Sequence, residues 1–113
     1  MMGRRATIVI KQGSYQARNY SRDNTDRLQL PEMTFTTYGL FLPDEEGNSR
    51  LHYILGKQGE DIITVPAREL SHAKEGRRNL HADTTIDIRR NNDKRLRCLI
   101  LLLEARGRPM VRV

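Results

Sequence analysis

The apolar residues of this chain fall into short runs, each closed within a few positions by Gly, Pro, Asn or Asp. A chain patterned that way buries its apolar side chains as many short strands. Ala6-Thr7-Ile8-Val9-Ile10-Lys11 is the first such run, rich in β-branched residues and stopped by Gly13. Met33 to Tyr38 alternates apolar and polar positions, and the extended run reaches Leu42. Pro43-Asp44-Glu45-Glu46-Gly47-Asn48 is a turn, from which Leu51 to Leu55 returns as the second strand of a hairpin. The tight turn Gly56-Lys57-Gln58-Gly59 leads to a third strand, Ile62 to Val65. Thr84 to Arg89 alternates again, with Ile86 and Ile88 facing inward and Asp87 and Arg89 outward.

Three segments lack that clarity. Between residues 14 and 30, Tyr15, Tyr20, Leu28 and Leu30 are spaced too irregularly for an amphipathic helix, which predicts a long loop with a short edge strand near Leu28 to Leu30. Loops of that length generally serve a function or a partner. Pro66 to Glu75 predicts one short helix, with Pro66 at its first position, Gly76 at its end, and Ala67, Leu70 and Ala73 on one face. Leu96 to Ala105 reads two ways. Asn92 as a cap, the leucines, and the stop signal Arg106-Gly107-Arg108-Pro109 support a helix. The alternation of Leu96, Cys98, Ile100 and Leu102 against Arg95 and Arg97, after a turn at Asn91-Asn92-Asp93, supports a strand. Positive charges at a helix N-terminus oppose the helix dipole, and this favours the strand. In either form, Cys98 to Leu103 is apolar on every side and is expected at the centre of the core, with Cys98 a small inert packing residue. The expected fold is mainly β: a small antiparallel sheet or partly closed barrel of six or seven strands, with one or two short helices, in a single domain over residues 1–113.

The lone cysteine permits no intrachain disulfide and fits a reducing compartment. The N-terminal apolar run is too short for a signal peptide, and no apolar run approaches a membrane span. The expectation is a cytoplasmic or virion-associated protein that does not engage membranes. His52, His72 and His81 stand far apart and Cys98 is alone, so no metal site is expected. Neither the adjacent Ser71-His72 nor the acidic turn Asp44-Glu45-Glu46 makes a catalytic set, and Gly56 to Gly59 lacks the spacing of a phosphate loop. No catalytic residue, cofactor or small-molecule substrate is predicted, and His52 is read as a surface histidine.

Charge is the stronger signal. Residues 1–30 carry six basic and two acidic groups, residues 31–76 four and eight, and residues 77–113 ten and four, so a net +6 chain has basic ends and an acidic middle. Sixteen of its 20 basic residues are Arg, whose planar fork grips phosphate, although a GC-rich genome produces the same bias. Within the loop, Tyr15 and Tyr20 interleave with Arg18 and Arg22, the pattern by which aromatic faces stack on unpaired bases while arginines hold phosphates. Arg77, Arg78, Arg89, Arg90, Lys94, Arg95 and Arg97 form a second basic set, part of it along an expected hairpin over residues 84–97. The leading expectation is a non-enzymatic nucleic-acid-binding module of little sequence preference, favouring single strands or RNA. Its contacts would be stacking by Tyr15 and Tyr20 and phosphate binding by Arg18, Arg22, Arg77, Arg78, Arg89, Arg90, Arg95 and Arg97. The alternatives are a self-associating assembly subunit, such as a virion or coat component, and an adaptor that docks on another protein through Asp44, Glu45 and Glu46.

Overall fold

The computed structural model describes residues 5–20, 24–91 and 94–105. Nine strands form one sheet among them: β1 (Arg5–Ile10), β2 (Gly13–Asn19), β3 (Asn24–Leu30), β4 (Met33–Pro43), β5 (Ser49–Gln58), β6 (Asp61–Pro66), β7 (Ser71–His72), β8 (Arg77–Leu80) and β9 (Thr85–Arg90). The helix α1 (Lys94–Ala105) follows. The strand order is β3-β2-β9-β6-β5-β4-β1-β8-β7, which leaves the sheet open with β3 and β7 at its edges.

Four of the nine strands are joined in one long bent hairpin. The pairing from Arg5↔Tyr38 to Ile10↔Met33 continues in the same register from Gly13↔Leu30 to Asn19↔Asn24. Residues 5–19 and 24–38 are therefore two arms of a single ribbon, bent at Lys11-Gln12 and at Pro31-Glu32. β8 and β9 run parallel to the first arm, Thr7↔Arg77 to Ile10↔Leu80 and then Gln16↔Thr85 to Asn19↔Ile88, slipping by one residue at the intervening bend. The two bends nest. Lys11 N donates to Leu80 O (3.2 Å) and Asp83 N to Ser14 O (2.9 Å). A Cβ on Gly13 would stand 3.0 Å from Ala82 Cβ, so any side chain there crowds the neighbouring bend. Asp83 takes a left-handed conformation (φ 68°), which a short Asp side chain tolerates, and its carboxylate accepts from Arg27 Nη2 at 2.7 Å.

The inner face of this curled sheet is the main core. It gathers Ile8 and Ile10 from β1, Tyr15 and Ala17 from β2, Leu30 from β3, Phe35 from β4, Tyr53 and Leu55 from β5, Ile63 and Val65 from β6, Leu80 from β8 and Ile86 and Ile88 from β9. A second, smaller cluster lies on the outer face, where Ile100 of α1 covers Tyr38, Leu42, Ile54 and Ile62.

The mainly β class and the order of the meander from residue 33 to residue 66 agree with the sequence pattern, and several finer expectations do not. Gly56, Lys57 and Gln58, expected in a turn, continue β5 and pair with Ile63, Ile62 and Asp61, so the turn is Gly59-Glu60. The strand count is nine rather than six or seven, because residues 14–30, expected as a loop, form β2 and β3 and residues 71–80 supply β7 and β8; the sheet is open and mixed, with β8 and β9 each in one parallel pairing, rather than antiparallel or a partly closed barrel. Tyr15 and Ala17 are followed on the same face by the polar Asn19, and Leu28 and Leu30 are preceded by the polar Asp26, so the strand period shows only once the partner strand is known. Pro66–Glu75 is not a helix. Pro66 ends β6 with extended torsions (φ −61°, ψ 137°), and two single 3-10 turns, Ala67–Glu69 and Lys74–Gly76, flank the short β7. Leu96 to Ala105 is helical, not a strand, since β6 and β2 already occupy both edges of β9. α1 lies on the sheet rather than inside it, and Cys98 is exposed rather than buried.

The nested bends carry two expected outcomes. Gly13→Val should destabilise the fold by about 1–3 kcal/mol, read from urea unfolding, because the added side chain meets Ala82. The Asp83 carboxyl is held below the ordinary aspartate value by the hydrogen bond and charge of Arg27. Its contribution is therefore present above the unfolded-chain aspartate pKa and lost as pH falls through the lower folded value. An NMR carboxyl titration should show Asp83 titrating low in the native chain and moving upward in Arg27→Ala.

Candidate nucleic-acid interface

Strand alternation sends Arg18, Tyr20, His52, Thr64, Asp87 and Arg89 to the outer face, opposite the core. There the ladder sets Arg18 beside Asp87, and Asp87 beside Thr64. Asp87 is 1% exposed, and a carboxylate so buried needs compensation. Three side chains supply it. His52 Nε2 lies 3.0 Å from Asp87 Oδ2, Arg18 Nε 3.2 Å from Oδ1, and Arg89 Nη2 3.7 Å from Oδ2. His52 Nδ1 lies 3.0 Å from the Arg50 carbonyl, so both ring nitrogens are engaged. Arg89 also donates to the Pro43 carbonyl (2.6 Å) and stacks over Tyr20, 4.0 Å from the ring centroid. Burial, and then the charge of Asp87, raise the Tyr20 phenol above its ordinary pKa, while Arg89 and Arg18 oppose the rise. The cluster ties β2, β5 and β9 to the end of β4, and it is a structural strut.

This strut takes up much of the expected binding set. Arg18 and Arg89 serve Asp87. Arg90 pairs with Glu60 (2.8 Å) and Asp61 (3.7 Å), which neutralises the arginine in a cleft of about 290 Å³ lined with Lys57, Gly59, Glu60 and Asn91. Tyr15 does not stack on anything outside the fold: it is fully buried, and its hydroxyl donates to the Lys11 carbonyl (2.6 Å) and lies 3.2 Å from that of Leu80. Burial pushes its phenol up, against the opposing Lys11 bond. Tyr20 is half-buried beneath Arg89. Arg78 Nη1 lies 2.6 Å from His72 Nδ1 at the β7–β8 edge. Arg77 is exposed on β8 and Arg97 is exposed on α1. Arg22 and the side chain of Arg95 lie outside the described residues; Arg95 belongs to the first turn of α1, so the basic hairpin over residues 84–97 does not form. Among the described members of the expected set, Arg18, Tyr20 and Arg89 come together around Asp87, while Tyr15, Arg77, Arg78, Arg90 and Arg97 lie elsewhere. His52, read as a surface histidine, is 1% exposed. The acidic turn is organised by its own backbone: Asp44 Oδ1 accepts from the amides of Glu46 (2.9 Å) and Asn48 (2.8 Å).

A different basic face emerges from the ladder. Ile8, Ile10, Phe35 and Leu80 point into the core, so Arg5, Thr7 and Val9 of β1, Thr34 and Thr36 of β4, and Arg77 and Asn79 of β8 share the opposite side. Register sets Arg77, Thr7 and Thr36 in one row and Asn79, Val9 and Thr34 in the next. Thr7 Oγ1 lies 3.4 Å from Thr36 Oγ1, as two side chains on one face must. These rows carry no carboxylate, Arg5 and Arg77 are exposed, and neither has a side-chain partner among the described residues. Lys11 follows, exposed, at the bend. The signal in the sequence was the alternation of Arg5, Thr7, Val9 and Lys11 with Ala6, Ile8 and Ile10; what it lacked was the identity of the neighbouring strands.

No family model, curated protein or solved structure matches this chain. Among the described residues, no helix is long and apolar enough to cross a membrane.

For the strut, Asp87→Ala should destabilise the fold by about 3–5 kcal/mol in urea unfolding, because it leaves the buried Arg89 guanidinium without its anion and the buried His52 without its partner. Arg90→Ala should cost no more than about 1 kcal/mol, since its ion pairs are exposed.

Proposed function

We propose that the protein is a non-enzymatic nucleic-acid-binding module that holds phosphates on the outer face of β4, β1 and β8. The observation that carries this reading is the row Arg77–Thr7–Thr36 with Arg5 beside it. Two arginines without side-chain partners among the described residues stand next to hydroxyl donors, in rows free of carboxylates. Arginine fits phosphate oxygens with two parallel N–H donors, and threonine hydroxyls add neutral donors to the same oxygens. The face lacks stacking aromatics apart from the buried Tyr38 at its border, so affinity would come from the backbone rather than from bases. That favours binding with little sequence preference and strong salt dependence. The roles first expected for Tyr15, Arg18, Tyr20, Arg89 and Arg90 pass to Arg5 and Arg77, with Thr7 and Thr36.

Fluorescence anisotropy against labelled single-stranded oligonucleotides at several salt concentrations tests this. Wild-type protein should bind at low salt and weaken as salt rises. The Arg5→Ala/Arg77→Ala double variant should lower the slope of log K against log salt by about 1.4, roughly 0.7 for each phosphate no longer neutralised. Absence of binding at low salt, or a double variant equal to wild type, would refute the assignment. The second reading, a self-associating assembly subunit, is favoured by the exposed apolar side of α1.

A further inference from the structure

The outer face of β4, β1 and β8 does not end at the row that carries Arg77. One row along, register sets Ser71 of β7, Asn79 of β8, Val9 of β1 and Thr34 of β4 side by side. The Ser71 hydroxyl lies 2.9 Å from His81 Nε2, which brings an exposed imidazole to the end of this second row. Asn79 and Thr34 have no side-chain partner among the described residues. Rows on one face of a strand are two residues, about 6.7 Å, apart. The first row is cationic, and arginine only donates hydrogen bonds. The second is built on hydroxyls and an amide, which both donate and accept.

We propose that the nucleic acid held on this face is single-stranded RNA, its phosphates on the Arg77 row and its ribose over the Asn79 row, an inference that rests on the reading of the Arg77 row as a phosphate site. Phosphate oxygens only accept hydrogen bonds, and the guanidinium groups of the first row match them. A ribose 2′-hydroxyl both donates and accepts, as do the Asn79 amide and the Ser71 and Thr34 hydroxyls, and DNA presents no such group there. Shape selects the single strand. The core fills the inner side of the curled sheet, so the outer face is convex. Its strands β4, β1, β8 and β7 set their outer axes roughly 14 Å apart, whereas a major groove of about 12 Å admits a helix or a two-stranded ribbon. Recognition of duplex RNA by shape spreads contacts over about 16 base pairs, and β1, which runs through this face, is only about 20 Å long. A flexible strand bends over a convex surface that a stiff duplex touches along a line.

Fluorescence anisotropy of the full chain with three labelled probes of one base sequence reads the choice: single-stranded RNA, single-stranded DNA and duplex RNA, all at the same low salt. The expected result is tightest binding to single-stranded RNA, by about fivefold over single-stranded DNA, the scale of one or two hydrogen bonds. Asn79→Ala, and separately Ser71→Ala, should bring RNA affinity toward that for DNA while the salt slope and the circular dichroism spectrum stay those of wild type. Arg5→Ala/Arg77→Ala should weaken both single strands and lower the slope for both. Equal affinity for single-stranded RNA and DNA overturns this inference and leaves the phosphate site standing, whereas no binding of any probe refutes both. Tighter binding of duplex RNA, or an RNA preference that both Asn79→Ala and Ser71→Ala leave intact, overturns it as well.

Discussion

An extended strand running straight from residue 5 to residue 19 would span about 50 Å, whereas the longest dimension of the molecule is 36 Å. The ribbon of residues 5–19 and 24–38 therefore has to bend, and the rest of the architecture follows from where it does so. The bend turns the apolar positions on either side of it toward a common interior, so one ribbon lines much of the core. Because β8 and β9 follow the first arm through the same corner, the corner is held by backbone hydrogen bonds and by the close approach of Gly13 and Ala82. The meander from β4 to β6 spans the distance between the arms, and α1 closes the outer face above it.

Bending also decides what the arginines do. Around the end of β9, the outer face lies close to β5, β2 and the end of β4, and a carboxylate buried there recruits His52, Arg18 and Arg89. Those side chains are committed to the strut. Around β1 and β8, Arg5 and Arg77 stay exposed on the outer face and remain available to solvent. A basic composition thus divides into structural charge and surface charge, and only the second kind is exposed to an external anion.

Two exposed surfaces differ in kind. The β4–β1–β8 face is polar, carries hydroxyls and exposed guanidinium groups, and suits an anionic backbone. The outward side of α1 is apolar at Cys98, Leu101 and Ala105, and it lies on a different element.

Local pattern determined the β class, the meander and its first turn, and the inward orientation of Ile86 and Ile88, because each depends on neighbours within a few residues. It also determined the excess of arginine. Tertiary structure decided the rest. Whether Tyr15 stacks on a base or fills the core depended on β2 meeting β9. Whether Arg89 binds phosphate or Asp87 depended on His52 arriving from β5 and Pro43 from β4. Residues 94–105 had a pattern compatible with helix and strand alike, and the choice fell to helix because both edges of β9 were already taken. The physical reason is common to all three: a side chain's partners across a sheet come from distant parts of the chain, and alternation records which face a residue takes but not which strand lies beside it.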